Sequence, residues 1–309
     1  MRRSGRKRRV FGPTLLGVIL TLSIPTVSEA CACGCNVFSV GARWMMATSS
    51  GYKLSLMYDY MNQTRNWSGW NVAPDALNRD RVIRSNFTTL GFQYMASREW
   101  GMTVEVPVWD RYFETTTEDG TIATADHRSI ADVRAMATYT GLSEDMSTGV
   151  LFGLKLPTGP AHQPLLERDT QIGTGTTDLL LGGYQMGQEA GWGWFGQVLW
   201  QHALNSRDEY RPGDSFDVNI GFHYDAFMQD YHVAPMLQVV GSFRGIDEGS
   251  SSDPENTGYK RLYISPGLEA NLSSNVTLYG DLRIPVITEV RGNQLVAPSL
   301  LNITLSIGI

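Results

Sequence analysis

The sequence predicts an all-β chain: a transmembrane antiparallel barrel of about twelve strands with both ends on the periplasmic side. Three observations predict it. Apolar and polar residues alternate with period two, the alternating segments mostly run ten to thirteen residues, and their connections alternate long and short. A strand half in water and half against something apolar produces such alternation. Strands in soluble sheets average about 5–6 residues, whereas a tilted strand needs about 9–11 to cross the hydrocarbon layer.

The chain opens MRRSGRKRRVFGPTLLGVILTLSIPTVSEA, with six cations ahead of an apolar run from about Leu15 to Ile24 and small residues at Ser28 and Ala30. That is the plan of a secretory signal cleaved after Ala30, and the apolar run is too short to span a bilayer as a helix. RKRRVF matches a twin-arginine signal only loosely, and Ser28-Glu29 fits a lipid-attachment box before Cys31 poorly. The domain plan is therefore a signal peptide over 1–30, a periplasmic segment over 31–50 and a barrel over 51–309. The whole chain carries 25 basic and 31 acidic residues; the signal holds six and one of these, leaving 19 against 30, a net of −11. So acidic a chain lacks the basic stripes that meet phosphates, and a nucleic-acid partner is excluded.

The segment 31–50 begins CACGCNVFSVG and holds every cysteine of the chain. Residues two apart share a face in an extended segment, so Cys31, Cys33 and Cys35 can point the same way. Three thiolates on one side suit Cu(I), or Zn²⁺ with one outside ligand. A disulfide formed in the oxidising periplasm, geometrically easier for Cys31–Cys35 than for neighbours, is a second reading, and lipidation of Cys31 a third. No CxxCH haem motif occurs, and no cofactor is expected.

The twelve strands are expected near 52–63, 86–98, 101–113, 131–141, 147–158, 175–187, 192–204, 215–227, 231–244, 258–270, 275–287 and 299–309. SFDVNIGFHYD alternates Phe216, Val218, Ile220, Phe222 and Tyr224 with polar or small residues, and LLNITLSIGI does the same from Leu301 to Ile309. Long connections are expected at 64–85, 114–130, 159–174, 205–214, 245–257 and 288–298, with tight turns between them. Outer-membrane barrels sort their connections this way, with short periplasmic turns and longer outer loops. Tyr58, Tyr60, Tyr94, Trp100, Trp109, Trp192, Trp194, Trp200 and Tyr263 fall near strand ends, where interfacial rings are expected to face lipid. Outer-membrane lipid is thus one partner, and the outer membrane of a Gram-negative bacterium the expected location.

If the apolar rows face lipid, the opposite rows line the lumen. They include Asp59, Glu105, Asp132, Arg134, Lys155, Asp178, Asp217, His223, Asp225, Glu269, Asp281 and Arg283. A charge facing lipid at mid-depth costs about 2–4 kcal/mol for Arg or Lys, which favours this facing. Twelve strands lie between the eight that side chains fill and the 16–18 that leave an open channel, so a narrow lumen is expected. Its mixed signs should form ion-pair ladders that nearly shut it. The alternative is an ion-paired plug that only holds the barrel.

LFGLKLPTGP, followed by QIGTGTTDLLLGGYQ, resembles the outer-membrane barrels named for the MetA-pathway of phenol degradation. In that family a KLPTG strand end precedes a Gly-Thr-Gly-Ser/Thr-x-Asp strand start, and DLRIPVITEVRGNQLVAPSLLNITLSIGI has the family's closing cadence. The resemblance covers most of the barrel through short motifs and implies a barrel that moves small solutes. The chain departs from many barrels by ending in Ile309 rather than an aromatic residue.

Three functions follow. The first is a channel for a small-molecule or ion solute; acidic loops such as 247–255 (DEGSSSDPE) at its mouth would favour cations. The second is an enzyme in the barrel wall, for which His127-x-Ser129 offers a base and a nucleophile without a convincing third member. The residues favour a non-enzyme. The third is an anchor for a periplasmic protein partner, acting through residues 31–50. Asn-x-Ser/Thr triplets, as at Asn62 and Asn302, fall mostly in strands or short turns and are read as ordinary polar positions.

Overall fold

The computed structural model describes residues 46–47, 49–117 and 119–309. The signal peptide and Cys31, Cys33 and Cys35 lie outside the described residues. Strand β1 covers Gly51–Gln63, β2 Arg65–Gly69, β3 Asn71–Val72, β4 Asp80–Met95 and β5 Trp100–Thr116. Then come β6 (Ile122–Ile130), β7 (Val133–Tyr139), β8 (Thr148–Leu156), β9 (Asp178–Glu189), β10 (Trp192–Ala203) and β11 (Ser215–Tyr224). A short helix α1 (Ala226–Tyr231) leads to β12 (Val233–Arg244), β13 (Tyr259–Ser273), β14 (Val276–Val296) and β15 (Leu300–Gly308).

Strands β6 and β7 pair in succession with β5 and form one interrupted stave, while β2 and β3 form a hairpin added to the far end of β14. That leaves twelve antiparallel staves. The ring closes because β15 pairs with β14 on one side and β1 on the other. Ile309 seals the junction by exchanging backbone hydrogen bonds with Tyr52, so the barrel begins and ends on one rim. The short connections lie on that rim. Ala190 (φ 50°) and Gly191 (φ 82°) join β9 to β10, the left-handed pair that a two-residue type I′ hairpin requires.

All twelve expected strands are present. Three of the expected long loops are largely strand; in 64–85, β2, β3 and the start of β4 at Asp80 take up most of the connection. β5 and β6 continue as a paired hairpin to Thr116 and Ile122, so only 117–121 turn, and β14 runs on to Val296. Past the apolar band both faces meet water, and the Thr-rich stretch 115–124 keeps its strand propensity while losing its alternation. The connection 225–232, expected as a tight turn, holds α1.

Residue parity sorts the two faces. In β1, Leu54, Leu56 and Tyr58 are exposed while Ser55, Met57, Asp59 and Met61 are buried. A girdle of rings circles the short-turn rim: Tyr52 on Tyr94 (4.6 Å), Trp100 on Tyr139 (4.7 Å) and Trp192 on Tyr224 (4.7 Å). Trp109 and Tyr263 do not join it. Both stand in inward rows, Trp109 edge-on to Phe87 at 4.9 Å and Tyr263 buried in the central cluster. Parity overrules residue type here, because each lies an even number of residues from a buried charge on its own strand, Glu105 or Arg261.

The interior is packed. Polar side chains such as Gln93, Thr103, Gln197, Asn219 and Gln238 are buried beside an apolar cluster that includes Met57, Met61, Phe87, Phe195 and Met236. Met46, shortly before β1, joins that cluster, and the Ala47 N–H donates to the Tyr184 hydroxyl at 3.2 Å. Leu56, 49% exposed between Leu90 and Leu305, tests which face meets lipid. Leu56→Arg should lower unfolding free energy in lipid vesicles by about 2–4 kcal/mol. An unchanged value would place this row away from hydrocarbon.

Candidate functional site

The stave built from β6 and β7 breaks at Ala131–Asp132, and the break receives the connection between β8 and β9, residues 157–177. Thr158 is the first anchor: its hydroxyl donates to the Ala131 carbonyl at 2.7 Å and accepts the Val133 N–H at 2.9 Å. Asp132 then takes both feet of the connection. One carboxylate oxygen accepts the Gly159 N–H (3.0 Å); the other accepts the Thr174 N–H (2.9 Å) and hydroxyl (2.8 Å). The feet touch, since a Cβ on Gly173 would stand 2.3 Å from the Gly159 carbonyl oxygen. The KLPTG and GTGTTD motifs are therefore the two sides of one clamp.

Between its feet the connection crosses the mouth. Leu166 at its tip packs with Ile83 of β4, Phe113 of β5 and Leu295 of β14, and β14 stands opposite β8 and β9 in the ring. Arg111, fully buried, donates through Nη1 to the Thr170 carbonyl and through Nε to Ser85 (3.0 Å). The Arg168 guanidinium lies 4.1 Å over the Tyr210 ring. His162 meets Asp208 at 2.9 Å on the loop after β10. The hydrogen bond from His162, then that from Arg207, holds the Asp208 carboxyl below the ordinary carboxylate range. Its folded value thus lies below its unfolded one. The contact contributes fully above the ordinary carboxylate value and is lost as pH falls through the lowered one. Residues 157–177 form a lid on the long-loop end.

Below the lid lie most of the residues singled out from the sequence. Lys155 bridges Asp132 (3.2 Å) and Asp178 (2.8 Å), and Asp178 also accepts bonds from Thr176 and Gln201. Arg134 joins this group through Gln201 (3.4 Å) and faces Glu105 at 3.9 Å. Around the ring, Asp281 pairs with Arg283 (3.1 Å) and accepts the Tyr279 hydroxyl (2.8 Å), while Asn302 donates to Asp59. Asp217 accepts the Ser242 hydroxyl at 2.6 Å. His223 and Asp225 sit apart at the short-turn rim, paired at 2.7 Å, and Glu269 is half-buried on β13 opposite Ala234 and Tyr279.

Sequence reasoning missed Arg111 and Arg261, both buried inside the barrel. Parity held the signal, since Arg111 shares a face with Glu105, and Arg261 with Glu269. Asp247, read as a carboxylate at the mouth, is buried instead; it accepts Tyr210 (2.6 Å), Gly213 N–H (2.8 Å) and Arg244 (3.0 Å), tying two outer loops together. His127 contacts the Pro164 carbonyl of the lid at 2.9 Å, and no hydrogen bond joins it to Ser129 among the described residues. Nor do three His, Cys, Asp or Glu side chains group to hold a metal among them.

No family model matches the chain, and no curated protein matches it by sequence, so kinship to the phenol-pathway barrels rests on the short motifs alone. Solved structures do match. An outer-membrane channel from Pseudomonas putida F1 superposes with a TM-score of 0.68 over 87% of this chain and 100% of its own, at 12% identity. The chain folds as an outer-membrane β-barrel. The β domain of the Bordetella autotransporter BrkA superposes at 0.50, over 84% of this chain and 100% of its own, at 10% identity. The Ralstonia pickettii toluene transporter TbuX overlaps at 0.45, with 8% identity over 92% of this chain and 96% of its own. A channel and an autotransporter domain share this architecture, so function has to be argued from the interior.

Lys155 is the keystone of the buried charges. Lys155→Ala leaves Asp132 and Asp178 without their shared cation and should destabilise the barrel by about 3–5 kcal/mol. Asp225→Ala, at the rim, should cost about 1 kcal/mol. Denaturant unfolding of both variants in the same vesicles checks the contrast.

Proposed function

We propose that the chain is a gated channel for small solutes in the outer membrane of a Gram-negative bacterium. Its short-turn rim and both chain ends face the periplasm, and the lid of residues 157–177 shuts it at rest. The observation that carries this reading is the lid itself. A connection serving only to join β8 to β9 has no need to reach β14 across the ring, yet Leu166 does so. A barrel serving only as an anchor needs no mouth to cover. The fold shared with a Pseudomonas channel supports the same reading, as does the sorting of connections by rim.

The interior argues against the cation preference expected from acidic loops. Arg111 and Arg261 add to Arg134, Lys155 and Arg283 inside the barrel, so the buried charges nearly balance. Met57, Met61, Phe87 and Met236 add an adaptable apolar lining. A solute with both polar and apolar parts suits such a wall better than a hydrated ion.

Planar-bilayer conductance and liposome swelling test the gate. Leu166→Asp places a charge among Ile83, Phe113 and Leu295 and should undock the tip, raising conductance at least tenfold. Replacing residues 161–171 by a short Gly-Ser link should do the same. If the lid-free barrel folds and conducts no better than the parent, the gate is refuted; if neither passes any solute, the anchor reading takes its place.

A further inference from the structure

One buried guanidinium stands outside the ion-pair network. Arg261 on β13 is only 2% exposed and lies inside the barrel, 4.1 Å over the Tyr259 ring. Its Nε and Nη2 are buried and have no hydrogen-bond partner in the protein. Ser242, its cross-strand neighbour on β12, gives its hydroxyl to Asp217. Asp281 is held by Arg283, and Glu105 faces Arg134. Among the described residues Arg261 forms no ion pair.

Leaving charged donors unmet in a buried site is costly, and such groups point to a missing partner. Which donors are unmet identifies that partner. Nε and Nη2 form one edge of the guanidinium, and their parallel N–H groups match the two oxygens of a carboxylate. Tyr263, one inward position further along β13, belongs to the buried apolar cluster with Tyr279, Met57 and Leu300. A carboxylate on this edge would have apolar and aromatic side chains beside it for the rest of its body.

We infer that Arg261 is the carboxylate-recognition residue of the lumen and that the solutes taken are small monocarboxylates with an apolar body. This rests on the channel reading for transport but not for binding, which separates the two in the test.

The probe is benzoate, with benzyl alcohol as its uncharged counterpart and chloride as a bare anion. Titration calorimetry on the full-length protein in detergent measures binding; swelling of proteoliposomes measures passage. The parent should bind benzoate at least tenfold more tightly than benzyl alcohol. Arg261→Gln should remove that preference, and Arg261→Lys, which keeps the charge without the fork, should recover only part of it. Arg261→Met serves where the glutamine variant fails to fold, with cooperative unfolding as the check. Benzoate binding that survives in a folded Arg261→Gln or Arg261→Met variant overturns the assignment. So does a parent that binds benzoate no better than benzyl alcohol, or a loss of chloride and benzoate binding in equal measure. Arg261-dependent binding without swelling, in the Leu166→Asp variant as well as in the parent, would uphold the site and refute the channel.

Discussion

Inside hydrocarbon no water takes up a stray N–H or C=O, so each stave must find a neighbour on both sides. Closure of the sheet follows, and much else follows from closure. The last strand has to lie between β14 and the first, which brings Ile309 against Tyr52 and fixes both barrel ends on one rim. Two faces are then distinguished for the full height of the wall. The outer one must be apolar where it meets hydrocarbon, and the inner one holds the buried charges, Asp59, Glu105, Lys155, Asp217 and Asp281 among them.

That inner face has a difficulty the outer one lacks. Twelve staves enclose more room than the eight that side chains fill, but less than the 16–18 of a wide porin. The chain fills the room with polar side chains bonded to one another, with Met and aromatic residues, and with ion pairs. Lys155 between Asp132 and Asp178 shows the arrangement at its tightest. Pairs of this kind add little net stability over apolar packing, yet removing one partner is expensive. They hold the interior in one arrangement without making it greasy.

The barrel was legible because parity is a strong signal where one face meets lipid. β11 and β15 could be read residue by residue. Where both faces meet water the signal fades, and the outer reaches of β5, β6 and β14 were read as loops for that reason. Trp109 and Tyr263 were misplaced because aromatic character was weighed above parity. Most of the inward charges were visible from alternation, including Lys155, Asp178 and Asp281. Arg111 and Arg261 were equally visible in principle, by counting in twos from Glu105 and Glu269. The lid was not legible. Its sequence carries no period, and the contacts that define it join Asp132 to residues 27 and 42 positions away.

Because one carboxylate grips both feet of the lid, the lid has a fixed axle. Gly159 and Thr174 are held by Asp132, and Gly173 packs on Gly159, so the base cannot slide along the wall. In the proposed gate the span between, residues 160–173, would swing as a flap about that line, with Leu166 at the free edge travelling furthest. Opening by the proposed swing then needs no strand to shift. The work is confined to the tip and flank contacts, at Ile83, Phe113, Leu295, Arg111, His127, Tyr210 and Asp208. In the proposed gate the moving part is thus hinged where Asp132 and Thr158 hold its base.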